Sequence, residues 1–220
     1  MVRHIHLDEC DSTQDEVERQ LEAGEQGTLL ISTSRQRHGR GRGANVWEHH
    51  AGALAFSFSA PPHPELTWQS IETSVLIAEW FEASGRKLQL KWPNDLYADG
   101  KKCGGILLKS SHGRMVIGVG VNLTPQERWG HAWGHLALPS DYARAFPRAI
   151  TEHCLVRANR SGASLKKLWE SRCTHLGAEV TITDGKTVHE GVFHGLGIHG
   201  EAVLRTSSGV RSVYNGTLRW

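Results

Sequence analysis

The residues best equipped for chemistry lie between Lys91 and Ser110, KWPNDLYADGKKCGGILLKS, where polar side chains interrupt a pattern of buried strands. Leu88 to Trp92 reads as a strand running into a turn, with Pro93 removing a backbone donor and Asn94-Asp95 supplying turn-forming side chains. If the chain folds back there as a hairpin, Lys102 starts a returning strand, Gly105 to Lys109. Asp95 and Lys102 then bring a carboxylate and an ammonium to the mouth of one site, which suits chemistry on anions. Gly104-Gly105 clear space beside that strand, so Lys102 can lean over a flat ligand. The plainer alternative is an exposed lysine rim and an Asx turn at Asp95.

A second candidate is the segment Ser34 to His50, long for a loop inside a compact domain and punctuated by Gly39, Gly41 and Gly43. In Gln36-Arg37-His38-Gly39-Arg40-Gly41-Arg42, guanidiniums alternate with glycines, so backbone amides and forked donors can surround a phosphate or carboxylate together. A solvated arginine-glycine loop touching RNA fits the same residues. Trp47 either covers a ligand or anchors the loop in the core. Ser12-Thr13 precede a helix, and Thr13 with Glu16 fits a capping box; one hydroxyl can cap while the other faces a pocket.

Other motifs carry less. Gly118-x-Gly120-x-Asn122 lies in a strand and lacks the following helix of a dinucleotide fingerprint. Gly185-Lys186-Thr187 lacks the first glycine of a phosphate-binding P-loop. Among the histidines, His4/His6 and His49-His50 have no acidic or cysteine partner at a ligand spacing; His131 and His135 can share a helix face in a glycine-broken segment, but no metal centre is expected.

The elements that must hold these residues follow from periodicity. Ile5 to Leu7, Gly27 to Thr33, Ala53 to Ser59 and Met115 to Leu123 read as strands, and Thr13 to Ala23 as a polar amphipathic helix. Trp68 to Ser84 is a core helix with apolar residues at Trp68, Ile71, Val75 and Ala78, and helical patterns return at Tyr142 to Phe146 and from Arg148 to Leu176. From Gly177 on, short strands broken by Asp184-Gly185, His199-Gly200 and Ser208-Gly209 predict a small antiparallel barrel or sheet. The order of elements indicates an α+β fold, with residues 1–176 as one unit and 177–220 as a small module docked on it.

Composition sets the outer limits. In 220 residues, 25 Lys and Arg against 23 Asp and Glu leave a net charge of +2, so no global field recruits nucleic acid or membrane and basic sites must be local. Cys10, Cys103, Cys154 and Cys173 are scattered without a CxxC spacing, which favours free thiols in a reducing, cytoplasmic compartment.

Taken in order, Ser12-Thr13-Gln14, Gln36-x-x-Gly39-Arg40-Gly41-Arg42 with Trp47, KWPNDL with Lys102 and Gly105-Ile106-Leu107, and Gly118-x-Gly120-x-Asn122 closely resemble the biotin protein ligases. The resemblance spans almost the whole chain. It implies a class II synthetase-like catalytic domain, with a mixed or antiparallel sheet and helices on one side, followed by an SH3-like module ending in Gly216-Thr217-Leu218-Arg219. It also implies formation of biotinyl-5′-adenylate from biotin and ATP with Mg²⁺, then transfer to a lysine of a biotin carboxyl carrier protein. On that match Arg40, Arg42 and Lys102 hold the biotin carboxylate and the α-phosphate, and Asp95 orients the acceptor amine. Ser12, Thr13, Gln36, Gly39 and the backbone near Arg40 meet the ureido head, and Gly105, Leu107, Gly118 and Gly120 wall its slot. Trp47, Asn122 and Arg219 fall on the nucleotide side.

The glycine-punctuated loop would act as a lid. Gly43-Ala44-Asn45 stand where the family carries further basic residues, which points to weaker retention of the adenylate, and Asn215 stands where an acidic residue is common before the terminal strand. With Ile5 already in the catalytic region, no DNA-binding role is expected; a monomer and a homodimer both stay open. Two rivals share the pattern: a lipoate or octanoyl transfer enzyme, for which Cys103 would be the carrier thiol, and a biotin-binding module without turnover.

Overall fold

The computed structural model describes residues 1–43, 45–125, 133–139 and 142–220; Ala44 and His131, both singled out above, lie outside these. The first unit is built on a seven-stranded sheet. Its first strand, β1 (Val2–Leu7), leads through helix α1 (Thr13–Glu22) to β2 (Thr28–Thr33), and the helical crossover leaves β1 and β2 parallel. The remaining members are β5 (Ala53–Ala60), β6 (Gln89–Lys91), β7 (Asp95–Ala98), β8 (Lys101–Ser111) and β9 (Arg114–Asn122), all antiparallel to their neighbours. The order across the sheet is β1-β2-β5-β9-β8-β7-β6. Between β2 and β5, the glycine-rich loop folds into a two-stranded ribbon of β3 (Gly39–Arg40) and β4 (Val46–Trp47).

Both faces of the sheet are covered, which is why every residue of β5 is buried. On one face α2 (Gln69–Ala83) and α3 (Tyr142–Arg157) pack over Leu30, Leu54, Phe56, Phe58, Ile117 and Val119, with α4 (Gly162–Glu170) beside α2. Helices on one side is therefore correct for these three, but α1 departs from it. Its Val17 and Leu21 pack with Leu29, Ile31 and Val116 on the opposite face, where the alternation of a strand sends every second side chain. The α3 helix also runs through Pro147, joining two patterns that the sequence separates.

The second unit is a five-stranded antiparallel sheet, with β10 (Glu179–Asp184), β11 (Thr187–Leu196), β12 (Ala202–Thr206), β13 (Gly209–Val213) and β14 (Thr217–Arg219) in the order β13-β12-β11-β10-β14. Its Phe193, Leu196, Leu204 and Leu218 join the same core as α2 and α4. Two tryptophans of the first unit tie it down, Trp68 Nε1 donating to Ile198 O (3.3 Å) and Trp92 Nε1 to Gly200 O (3.2 Å). Among the described residues no helix is long and apolar enough to cross a membrane.

Two local expectations are corrected. The capping box at Thr13 and Glu16 does not form. Ser12 is the N-cap residue, its side chain makes no capping bond, and the Thr13 hydroxyl is engaged elsewhere. The hairpin also turns later than predicted: Asp95 opens a strand of its own, and the chain reverses at Asp99-Gly100, both with positive φ. Asp95 and Lys102 thus sit on adjacent strands rather than at two ends of one turn.

Candidate active site

Sheet register explains where the cavity comes from. Ala55 pairs with Gly120, Gly120 with Gly105, Gly105 with Asp95 and Asp95 with Lys91, so one row crosses five strands on the face that carries α1. The next row runs Ser57, Gly118, Leu107. Small residues in these rows leave a bare stretch of sheet, with a cavity of about 370 Å³ above it. That volume lies within the range of small-molecule sites. The start of α1 forms one wall, the β3-β4 ribbon another, and Thr217 and Leu218 of β14 close part of the rim.

At the α1 end the polar groups are pre-ordered. Gln36 Oε1 accepts from Thr13 N (2.8 Å) and lies 3.3 Å from the Thr13 hydroxyl, which is also 2.8 Å from Ser57 Oγ. Gln14 Nε2 donates to Leu107 O (3.0 Å), fixing the helix start to the sheet. Above the floor, Trp47 lies on Gly120, and its indole Nε1 is buried with no hydrogen-bond partner among the described residues.

The charged end is built by the KWPND segment. Asn94 Nδ2 donates to Ile106 O (2.6 Å) and Ile106 N to Asn94 O (3.0 Å), while Ser70 Oγ donates to Pro93 O (3.1 Å). With the turn stapled on both sides, Asp95 enters β7 with its carboxylate between two ammoniums, Lys102 Nζ at 2.5 Å from Oδ1 and Lys91 Nζ at 3.7 Å from Oδ2. Burial lowers the Lys91 pKa, and the Asp95 charge opposes it. Lys102 Nζ also lies 5.9 Å from the Trp133 ring centroid.

The two arginines face the cavity from the ribbon but are held by protein partners. Arg40 Nη2 donates to Asp15 Oδ2 (2.8 Å), and Arg42 reaches the second unit, donating to Gly216 O (2.9 Å) and Asn215 Oδ1 (2.7 Å). Burial lowers the Arg42 pKa, with Asp95 and Asp184 opposing. Lys102, Arg40 and Arg42 are thus the cations placed to meet an anion in a cavity of a nearly neutral chain, while the Lys91 ammonium lies between Asp95 and the Trp220 ring.

Of the residues singled out in the sequence, Ser12, Thr13, Gln36, Arg40, Arg42, Trp47, Asp95, Lys102, Gly105, Leu107, Gly118 and Gly120 line this cavity. Three do not. Gly39 is a buried member of the ribbon itself, where a β-carbon would run into the Trp47 carbonyl oxygen and come within 2.6 Å of Gln36 Nε2. Asn122 is buried, its Nδ2 donating to Gly134 O (3.2 Å) and its Oδ1 3.3 Å from His50 Nε2. Arg219 is exposed, although its neighbours Thr217 and Leu218 reach the rim. Lys91, Gln14, Ser57 and Asn94 are lining residues that the sequence reading passed over. Gln14 left a signal, since it shares a helical stripe with Val17 and Leu21 and is a polar residue on a buried face.

Cys103 is fully buried, donates to Leu96 O at 3.5 Å, and has its thiol pushed up to about 12, chiefly by desolvation. A protonated, enclosed thiol is not an acyl carrier.

Known proteins share these features. The model of the biotin/lipoate A/B protein ligase family matches residues 8–124. The biotin–[acetyl-CoA-carboxylase] ligase of Paracoccus denitrificans is 26% identical over 92% of this chain and 94% of its own length. The bifunctional ligase/repressor BirA of Bacillus subtilis is 28% identical over 88% of this chain and 66% of its own. A structure of biotin protein ligase from Aquifex aeolicus in complex with biotin and ATP superposes with a TM-score of 0.84 at 27% identity, covering 99% of this chain and 98% of that one. With the family model spanning more than half of the sequence, and with a bare sheet facing a ring of cations, the chain belongs to the biotin/lipoate A/B protein ligase family.

Proposed function

We propose that the chain is a biotin protein ligase that activates biotin with ATP and passes the biotinyl group to a lysine of a carrier protein. The observation that carries this reading is the meeting of Lys102 and Asp95 with the arginine ribbon over a floor stripped of side chains. An extended ligand with an uncharged polar head and an anionic tail fits it from the Thr13-Gln36 end to the cations.

In the first step a biotin carboxylate oxygen attacks the α-phosphorus of ATP, the bond to the β-phosphate oxygen breaks, and pyrophosphate leaves. The carboxylate is already ionised at neutral pH, so the obstacle is repulsion between anions rather than proton removal. Lys102, Arg40 and Arg42 offset that repulsion, each charged hydrogen bond contributing roughly 1.5 to 3 kcal/mol. The arginines exchange their present partners, Asp15 and Asn215, for the ligand. Mg²⁺ accompanies ATP as its phosphate chelate; among the described residues no group of three or more His, Cys, Asp or Glu is gathered to hold it. Ser12, Thr13, Gln36 and Ser57 meet the ureido head, and the unpartnered Trp47 Nε1 supplies a further donor. Asn122 acts from behind the cavity, as support for its nucleotide side, and Arg219 from the exposed strand beside the rim.

In the second step the neutral acceptor amine attacks the biotinyl carbonyl carbon, the bond to the phosphate oxygen breaks, AMP leaves with that electron pair, and the nitrogen releases its proton to solvent. Asp95 accepts a hydrogen bond from that amine and aims it. Residues 1–176 form the catalytic unit, and the SH3-like unit, 177–220, contributes the rim that anchors Arg42. Incubation with biotin, MgATP and a biotin carboxyl carrier domain should add one biotinyl mass to the carrier. No transfer under these conditions would refute the reading.

A further inference from the structure

Lys91 and Asp95 are register partners at the outer end of the floor row, so their side chains share its face. Lys91 is the better enclosed of the two lysines on that carboxylate. Its side chain is 13% exposed against 32% for Lys102, and its ammonium lies 5.0 Å from the Trp220 ring and 5.9 Å from the Tyr97 ring. Trp220 is itself fixed by ring contacts to His175 (5.4 Å) and Tyr97 (5.6 Å). Cation and aromatic faces attract, so Lys91 has a seat independent of any ligand.

Lys102 is differently placed. The anions it is proposed to bind compete with Asp95 for one ammonium, and when it turns to them Oδ1 loses a partner at 2.5 Å. A carboxylate that is 15% exposed and has lost that partner depends on its second ammonium, Lys91, to keep one orientation. We propose that Lys91 is a positioning residue for the transfer step, holding Oδ2 of Asp95 so that the carboxylate stays aimed at the acceptor amine while Lys102 serves the adenylate. This rests on the ligase reading and adds a division of labour between two lysines on one aspartate.

Several charged or titratable groups bear on Lys91. They are Asp95 and Tyr97 from β7, Lys102 from β8, Arg219 from β14 and His175 from the segment after α4. Asp95 is the anion among them. Without Lys91, Oδ2 of Asp95 loses its ammonium, and the carboxylate is free to swing while Lys102 is engaged.

The test separates the half-reactions on the full chain. With Lys91→Met, pyrophosphate release from biotin and ATP should stay within about threefold of the unaltered protein, since Lys91 acts only through Asp95. Single-turnover transfer from preformed biotinyl-adenylate should fall about tenfold, Lys91→Arg should restore it, and Lys91→Met should add little further loss in an Asp95→Asn background, since Lys91 acts through that carboxylate. A deficit that persists in full in the Asp95→Asn background, or that Arg does not rescue, would show a role apart from Asp95 and overturn the proposal. Adenylate formation lost in parallel with transfer would place Lys91 on the substrates and overturn it too. If the unaltered chain forms no adenylate, the ligase reading itself fails, and this assignment with it.

Discussion

The indole of Trp47 occupies the space that a side chain at Gly120 would need: a β-carbon there would lie 2.6 Å from Cε2 and 2.7 Å from Cζ2 of the ring. The loop and the floor therefore specify each other, and replacing hydrogen by methyl at one glycine is a direct probe of the ribbon's seat. Gly120→Ala should push Trp47 outward and reduce adenylate formation by about tenfold or more, while the melting temperature falls only modestly because the ribbon can yield. Pyrophosphate release and a thermal melt on the same sample check both halves, and unaltered release would mean that the seat is dispensable.

Removing the ammonium that faces the ligand should hurt the first step most. Lys102→Ala is expected to slow adenylate formation on the order of a hundredfold, the usual cost of losing a fixed group that meets developing charge. Asp95→Asn should leave that step largely intact and slow transfer instead. Equal losses in both steps for either variant would contradict the separate roles given to the pair.

The thiols should be silent. Burial holds Cys103, Cys154 and Cys173 up at about 12 and raises Cys10 as well, so thiolate is scarce near neutral pH. Brief treatment of the native protein with iodoacetamide should leave ATP-dependent biotin transfer unchanged, and Cys103→Ala should remain active. Rapid inactivation with label on Cys103 would revive a covalent acyl-carrier mechanism.

Acid should loosen the second unit. His175 is buried against Phe193 (4.4 Å) and Trp220, and desolvation, followed by the charge of Lys91, lowers its pKa to about 3. The unfolded chain takes up this proton near pH 6.5 and the folded chain only near 3, so the stability tied to the neutral ring is complete above 6.5 and is lost as pH falls through that window. At about pH 4 the loss from this residue is on the order of 3 kcal/mol. Urea melts between pH 7 and 4 should show the decline, and His175→Leu should flatten it; an identical slope in the variant would exclude His175 as the source.

Much of this site was legible because its chemistry is local. KWPNDL followed by Lys102, and the arginines spaced by glycines, announce themselves in one stretch of sequence each. Most strands of the central sheet and the all-β tail were legible from alternation and from Asp-Gly and Ser-Gly turns, but β7, which carries Asp95, was hidden among turn-forming residues. Long-range pairing was not. Gln36 meets Thr13 across 23 residues and Arg42 meets Gly216 across 174, and no local pattern encodes either. Lys91 was overlooked because a lysine at a strand end is ordinarily solvated; only the register that sets it beside Asp95 and the ring of Trp220 gives it another meaning. The capping box failed because the Thr13 hydroxyl had a competing tertiary partner in Ser57.

The row Ala55, Gly120, Gly105 has a consequence for how a ligand is met. Because it is backbone and methyl, held by sheet hydrogen bonds on both sides, that part of the floor has no rotamers to freeze and no side chain to displace when a ligand arrives. Its ordering cost is borne once, when the sheet forms, and not again at each turnover. Adaptation on binding is left to the ribbon and its arginines, so changes in those residues should alter how long an intermediate stays while the shape it rests on remains constant.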